Sequence, residues 1–551
     1  MEEIQVVVEE KEITVEKGIT LYDLVKRSGE KDRVLVAKVN GVMRELTQTV
    51  DAPCEIEYLT YDDTEGRRTY VRGLIMMMLR AFYKEVPSDQ FDNITVHYAL
   101  DNGYYCTVSG GMRITEAKLE KIAKRMRSYV EADERFEKKS VDVADGIQYF
   151  EERGMFAKSK LLKYRRVSNV NLYSLGKVVD YFYGEMPYST GVLKKFDLVK
   201  YDKGFVLVLP QRKKKNYRMD YHPSHKLHRE LKRSEEWIDT LKVANVGDLN
   251  DVICHGSLRQ LMLVQEALQE KRIGDLADRV VKNPKTRLVT IAGPSSSGKT
   301  TFSYRLSAQL ATLGKRPHPI AMDDYFVNRV DTPRDEEGNY DYENISALDT
   351  ALFNEHLQRL LSGDEVQLPT YNFITGKRQY DKPPIRIGED EILIVEGIHG
   401  LNEKLTSKIP KDQKFKIYIS ALTALNIDEH NYISTSDSRL LRRIVRDART
   451  RGHSAAHSIS MWEAVRRGEK KNIFPYQEEA DAMFNSSIIY EAAALKTYVE
   501  PLLFAVERGT KEYSVAQKLL KFLDYFLSID STEVPLNSIL REFIGGGILL
   551  N

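Results

Sequence analysis

Apolar and polar residues alternate from Ile4 to Val8 and again from Ile13 to Val15, the period-two mark of half-buried strands. After Thr20 the spacing changes, and Leu21, Leu24 and Val25 share one helical face. Strand-like runs at Val34 to Val39 and Ile56 to Tyr58 complete a small α+β unit over residues 1–62. Over 63–210 the pattern predicts a helix at Leu74 to Tyr83, strands at Ile94 to Leu100 and Tyr104 to Val108, and a charged helix from Glu116 to Val130. Residues 211–284 hold a basic segment followed by a helical stretch from Ser234 to Val281. From 285 to 506 short apolar strands at Leu288 to Ile291, Pro319 to Met322, Glu391 to Val395 and Phe415 to Ile419 alternate with helices, the order of a doubly wound parallel sheet. The last segment, 507–551, reads as one or two helices, dense enough at Leu519, Leu520, Phe522 and Leu523 to dock on the preceding domain or on a second subunit. The expected fold class is multidomain: α+β modules followed by an α/β domain.

A chain of 551 residues has length for roughly three domains. Its 82 basic and 81 acidic residues nearly cancel, so no global charge argues for nucleic acid. The three cysteines, Cys54, Cys106 and Cys254, show no metal-type spacing and suit a reduced compartment. The N-terminus lacks a basic region followed by an apolar run, and the apolar stretch Gly73 to Leu79 is flanked by Arg72 and Arg80. A soluble cytoplasmic protein with no membrane partner is expected. Locally, the basic run Gln211 to Arg233 interleaves Tyr217 and Tyr221, a composition that suits phosphate backbones and unpaired bases but more often makes a solvated linker. His222, His225 and His228 recur every three residues, yet Pro223 lies among them and no cysteine is near, which favours a linker over a metal site.

Chemistry concentrates in Leu288 to Thr301. Gly293, Gly298, Lys299 and Thr300 fit G-x-x-x-x-G-K-[ST] between an apolar strand and a helix carrying Phe302, Leu306 and Leu310, so backbone N–H groups at a helix N-terminus can wrap a phosphate chain. Ser295, Ser296, Ser297 and Thr301 belong to the same cradle. Asp323, at the carboxyl end of the next strand, is expected in the same crevice as Lys299. Glu396, at the end of another strand, can hold magnesium directly or through water. His399 fits either a phosphate contact or a local hydrogen bond. In Arg439 to Arg451, Arg439, Arg443 and Arg446 share a helical face with Arg442 and Arg449 close by; only Asp447 balances them within the run, which points to a lid over polyphosphate more than to a solvated helix.

Together GPSSSGKTT, DDYF, LPTYNF, IVEGIHGL and RLLRRIVRDARTRG resemble, in that order, the uridine kinase and phosphoribulokinase branch of phosphate-loop kinases, most closely the uridine–cytidine kinases. The resemblance covers about Thr286 to Val506. It implies ATP and Mg²⁺, with Lys299, Thr300 and the loop residues at the phosphates, Thr300 and Glu396 at the metal, Asp323 as base for a nucleoside 5′-hydroxyl, and Arg443, Arg446 and Arg451 as lid arginines. It also implies substrate contacts from Tyr325, Tyr371 and Phe373, and a ribose acid at Glu343, with Asp341 the competitor. Where those kinases carry a histidine against the pyrimidine edge, this chain has Gly376, with Lys377 alongside.

The first 62 residues resemble the β-grasp TGS module of threonyl-tRNA synthetases. DNGYYCTV, ITEAKLEKIAKRM and YFYGEMPYSTGVLKKFDLVKY resemble the second additional domain of threonyl- and alanyl-tRNA synthetases, whose His-x-x-x-His and Cys-x-x-x-His pairs hydrolyse mischarged tRNA. Here those positions fall near Arg68 and Arg72, and near Phe182 and Met186, so a binding or regulatory relic is expected in place of an editing site. The chain as a whole resembles the long bacterial nucleoside kinases with a synthetase-like N-terminus. A nucleoside kinase acting on uridine or cytidine, assembled as a homo-oligomer, is the leading expectation. The alternatives are an RNA-binding nucleotide switch and a kinase for another small alcohol such as pantothenate or ribulose phosphate.

Overall fold

The computed structural model describes residues 2–550 apart from 88, 212–220, 336, 337, 339 and 424. Residues 212–220 of the basic run, Tyr217 included, lie outside the described residues. In the N-terminal unit Glu3–Val8 and Lys11–Glu16 form a hairpin, Glu55–Thr60 runs parallel to Glu3–Val8, and Val34–Val39 and Val42–Arg44 extend the sheet beyond it. Thr20 caps the single helix, Leu21–Arg27, by accepting from the Asp23 amide at 3.1 Å.

The next helix, Thr64–Glu85, starts ten residues before the expected Leu74, because its first turns are arginine-rich and hide the apolar period. A four-stranded antiparallel sheet packs near it, and Glu137–Asp142, Asn169–Leu175 and Val178–Tyr181 form a smaller one. Phe182 and Met186 are buried core residues. The connector is three helices where one stretch was expected, His225–Leu241, Val246–Cys254 and Leu258–Val281, broken at Lys242 and Gly256, both at positive φ. His222 therefore lies off the helix, while His228 packs on the rings of Tyr105 and Tyr201 and hydrogen-bonds Asp202 at 3.3 Å.

In the C-terminal part five strands pair entirely in parallel, in the order Arg316–Ala321, Glu391–Glu396, Leu288–Ala292, Lys414–Ser420, Ala482–Asn485. Leu288, Ile320, Leu393 and Val395 face one core, and Val289, Ile291, Ile394, Ile417 and Ile419 face another. Both faces are thus covered, as parallel strands require. The strand expected at Pro319 to Met322 begins at Arg316 and ends at Ala321, where the chain turns into the short helix Met322–Tyr325. Connections leave Leu288–Ala292 and its two neighbours in opposite directions, opening a crevice beyond their carboxyl ends. The tail docks on its own chain: Tyr513–Leu523 packs against Glu491–Phe504, and the chain then returns to the crevice through Arg541–Ile544. Among the described residues no helix is long and apolar enough to cross a membrane.

One apolar core runs from Phe150, Leu161 and Leu172 of the N-terminal half through Val246 and Leu276 to Ile417 and Leu441. Beside it a charge cluster is sealed from water. Lys158 reaches Asp428 at 2.7 Å and Asp180 at 3.2 Å, and His430 meets Asp180 at 2.6 Å. Burial alone would raise the Asp180 carboxyl, but Lys158 and His430 hold it down at about 2. Removing one partner from such a cluster strands the others in low dielectric. We expect Lys158→Met to lower the urea-unfolding free energy by about 3–5 kcal/mol. Removing the exposed Lys194–Asp32 pair, 2.9 Å apart, by Asp32→Asn should cost under about 1 kcal/mol. Equal losses for the two variants would refute the difference in burial as the cause.

Candidate active site

The loop from Gly293 to Thr301 is shaped by contacts that only certain residues tolerate. A Cβ on Gly293 would stand 2.0 Å from the Ile419 carbonyl oxygen, and Gly298 takes φ +82° as it turns into the helix Lys299–Thr312. Ser296 also sits at positive φ, 60°. Lys299 Nζ donates to the Gly293 and Pro294 carbonyls at 3.2 and 3.4 Å. The Ser296 and Ser297 hydroxyls, in a loop whose backbone donors suit an anion, are buried without a hydrogen-bond partner. Thr300 Oγ1 donates to Glu396 Oε1 at 2.9 Å, and Thr301 donates from N and Oγ1 to Glu542, at 3.0 and 2.9 Å.

The arginine-rich segment forms the helix Thr435–Arg451, capped by Ser434, and it is a core element where a lid was expected. Leu440, Leu441, Ile444 and Val445 are buried, and so are Arg439 and Arg442. Their counter-charges come from outside the run: Glu469 grips Arg439 with both carboxylate oxygens, and Glu491 pairs with Arg442. These contacts reach the loop. Arg439 donates to the Ser295 carbonyl at 3.0 Å, Glu469 accepts from the Ser295 amide at 3.1 Å, and Arg443 donates to Ser295 Oγ at 3.0 Å. Arg443, Arg446 and Arg451 all pair with Asp447, at 3.2, 2.8 and 3.5 Å. Nothing in sequence spacing marked Glu469 or Glu491, since each lies on a different element from its arginine.

On the opposite wall Asp323 is half-buried; desolvation raises its carboxyl while Lys299 and Arg451 oppose. Asp324 has a different task, accepting from the Tyr371 amide at 3.1 Å. Tyr325, expected among the substrate contacts, is a core residue whose ring meets Phe353 and whose hydroxyl meets His356 at 3.1 Å. Tyr371, Phe373 and Phe326 form an aromatic group with edge contacts of 5.2 to 6.4 Å; the Tyr371 hydroxyl is buried without a partner, and Phe373 is exposed. Gly376 takes φ +69°, and a Cβ there would stand 2.8 Å from Arg329. Arg378 is committed to Asp349 at 3.1 Å and to the Phe326 carbonyl. His399 is buried, which pushes its imidazole down to about 4, and it faces the backbone oxygens of Glu343 and Asn344 without closing a hydrogen bond to either.

Glu343 packs against Gly468, close enough that a Cβ there would stand 2.3 Å from its own Cβ. Asp341, its competitor, accepts from Asn344 at 3.3 Å. Burial and the neighbouring Glu469 push the Glu343 carboxyl up to about 7 against the pull of Arg443 and Lys299. Burial, with Asp323 nearby, likewise raises Glu396 although Lys299 opposes. Thr300 and Glu396 offer hydroxyl and carboxylate oxygens beside a phosphate cradle, the donor type that suits Mg²⁺ held jointly with substrate phosphates. Among the described residues no group of three or more His, Cys, Asp and Glu side chains is placed to hold a metal without such help.

A carboxyl raised from 4.5 to about 7 favours the protonated fold. Its contribution to stability is full below the unfolded value and is lost as pH climbs through the folded one. We expect the melting temperature of the ligand-free protein to fall between about pH 4.5 and 7, and Glu343→Gln to flatten that slope. An unchanged slope in the variant would show that Glu343 is already ionised in the fold.

Residues 288–489 match the family model described as Phosphoribulokinase / Uridine kinase family. The chain is 27% identical to a uridine kinase of Halobacterium salinarum over 195 residues, 35% of this chain and 77% of that protein. It is 29% identical to a uridine kinase of Staphylococcus haemolyticus over 197 residues, 36% of this chain and 86% of the other. The N-terminal region is similar to part of a threonine–tRNA ligase of Symbiobacterium thermophilum, 30% identical over 186 residues, which is 33% of this chain but spans only 28% of the ligase. A solved structure described as a possible uridine kinase from Bacillus stearothermophilus aligns with 39% of the chain and 98% of its own length, at 22% identity and a TM-score of 0.27. The C-terminal part of the chain is a kinase domain of the phosphoribulokinase/uridine kinase family, a family of ATP users.

Proposed function

We propose that this protein transfers the γ-phosphoryl group of ATP to the 5′-hydroxyl of a nucleoside, uridine or cytidine. The observation that carries the reading is the half-buried Asp323 carboxyl near Lys299, Arg446 and Arg451 in the crevice beyond the parallel strands. A nucleotide switch has no use for a carboxylate there, whereas a kinase needs one to orient the acceptor and take its proton. In this scheme the Ser295 to Thr301 cradle and Lys299 bind the phosphate chain, and Arg443, Arg446 and Arg451 offset charge as the acceptor O–P bond forms and the bond to the departing ADP oxygen breaks. Asp323 receives the hydroxyl proton. Glu343 binds ribose hydroxyls, and Tyr371 with Phe373 supports the base. Thr300 and Glu396 would hold Mg²⁺, which supplies charge neutralisation at the phosphates when bound.

For the N-terminal half we propose a TGS-like β-grasp module followed by a synthetase-like domain without hydrolytic function. Two observations support it. Phe182 and Met186 are buried apolar residues, and Arg68 is engaged at 2.8 Å with Asp437 of the arginine helix.

Lys299→Ala should weaken both ATP binding and turnover. Asp323→Asn should leave ATP binding intact and lower kcat by about 10²–10⁴-fold. Near-normal turnover by Asp323→Asn would remove it as the base. For the acceptor, kcat/KM should be measured for uridine, cytidine, adenosine, guanosine and thymidine, and for small alcohols. With glycine at position 376 and Arg378 engaged elsewhere, we expect uridine and cytidine both to be accepted and other bases poorly rejected. A preference above roughly 10⁴-fold for one base would require a dedicated hydrogen-bonding site and defeat this expectation; turnover with a small alcohol alone would move the acceptor class.

A further inference from the structure

The phosphate cradle already has an anionic ligand. Glu542, on the turn Arg541–Ile544 of the C-terminal tail, places one carboxylate oxygen 3.0 Å from the Thr301 amide and 2.9 Å from its hydroxyl. That amide is one of the unpaired donors in the first turn of the phosphate-loop helix, which are the donors a nucleotide phosphate uses in this kind of loop. The contact is not a loose surface encounter. Leu540 and Phe543 on either side are fully buried, and the Arg442 guanidinium lies 5.0 Å from the centre of the Phe543 ring. Arg449 donates to the carbonyls of Glu542 and Phe543 at 3.0 and 3.1 Å, so the arginine helix holds the backbone that aims the carboxylate. Ile539 presses on the loop itself, 2.5 Å from where a Cβ on Gly298 would stand. Glu542 also stands near Glu396 and adds to the rise of its carboxyl.

We propose that Glu542 is an internal ligand of the phosphate cradle, a carboxylate that occupies donors needed by the nucleotide and must leave before a polyphosphate can seat. Thr301 cannot give the same N–H and O–H to two anions at full strength, and two anions at that distance repel. The tail therefore competes with ATP within one chain. The inference rests on nucleotide binding in the phosphate loop, and it is independent of which acceptor the enzyme phosphorylates.

The test is equilibrium binding of ATP, and separately of inorganic tripolyphosphate, to the full-length protein by calorimetry with no acceptor present. Glu542→Ala and Glu542→Gln should each tighten both ligands by roughly 10- to 100-fold, the range expected when a competing charge-assisted hydrogen bond is removed. Glu542→Asp keeps the charge but withdraws it from Thr301, so it too should bind more tightly, an effect that general repulsion would not give. Glu533→Gln, an exposed acid on the same tail, should change neither affinity. In the unaltered protein, hydrogen exchange of the segment 538–546 should speed up on adding ATP. Unchanged or weaker binding by the Ala and Gln variants, with no gain in exchange, would overturn the proposal; weaker binding would make Glu542 a nucleotide contact. Failure of ATP to bind even the Lys299-intact variants would count against the phosphate-loop function itself.

Discussion

A guanidinium taken fully out of water must find a carboxylate, and Arg439 finds Glu469 across the crevice in a two-point contact. The pair is not merely neutral ballast. Glu469 also accepts from the Ser295 amide while Arg439 donates to the Ser295 carbonyl, so one residue of the phosphate loop is held from both sides by a single buried ion pair. Gly468, just before Glu469, forms the floor for Glu343, because any side chain there would collide with it. The loop, the arginine helix and the acid opposite them thus take their relative positions from one interaction. Arg442 repeats the device with Glu491 and with the Ser486 carbonyl, and Ser486 in turn donates to the Ser297 carbonyl.

The same helix ties the crevice to the rest of the chain. Its first-turn Asp437 is buried between Arg68 of the N-terminal half and Lys518 of the tail, 2.8 and 3.2 Å away; burial opposes its ionisation, and the two cations together hold the carboxyl at about 2. Glu65 joins Arg68 and Lys518 to complete the group. Three distant stretches of sequence therefore meet at the N-terminus of the helix whose middle grips the phosphate loop. Breaking a buried group of this kind leaves uncompensated charge, which discourages independent drift of the segments it joins.

Much of this is legible in the sequence. The strand and helix flanking GPSSSGKTT, the carboxylates at the ends of apolar strands, and the shared face of Arg443 and Arg446 follow from short-range periodicity, and those side chains do gather in one crevice. Periodicity fails where the deciding contact is remote. Arg439 reads as unbalanced because Glu469 lies thirty residues on, the substrate contact that the family resemblance implies for Tyr325 gives way to His356, which nothing local marks as its partner, and the helix from Thr64 is read only from Leu74 because arginines interrupt its apolar face. The tail was readable as a docking helix, but Glu542 sits in a short turn with no period of its own.

The charges of the crevice are not fully cancelled by its own side chains. Asp323, Glu343 and Glu396 all have carboxyls raised by burial; Asp323 adds to the rise of Glu343 and Glu396, and Asp324 to that of Asp323. Lys299 opposes all three, but its ammonium is also turned toward the Gly293 and Pro294 carbonyls. Meanwhile Arg443, Arg446 and Arg451 spend part of their charge on one buried Asp447. Acids short of cations on one wall and cations crowded on a single acid on the other are a poor arrangement for folding alone. They become a good one when a ligand bridges the walls, with phosphate oxygens drawing the arginines and a cation or hydroxyl donors meeting the acids. The raised carboxyls of one wall and an affinity for a polyphosphate are therefore two consequences of the same unmatched charges.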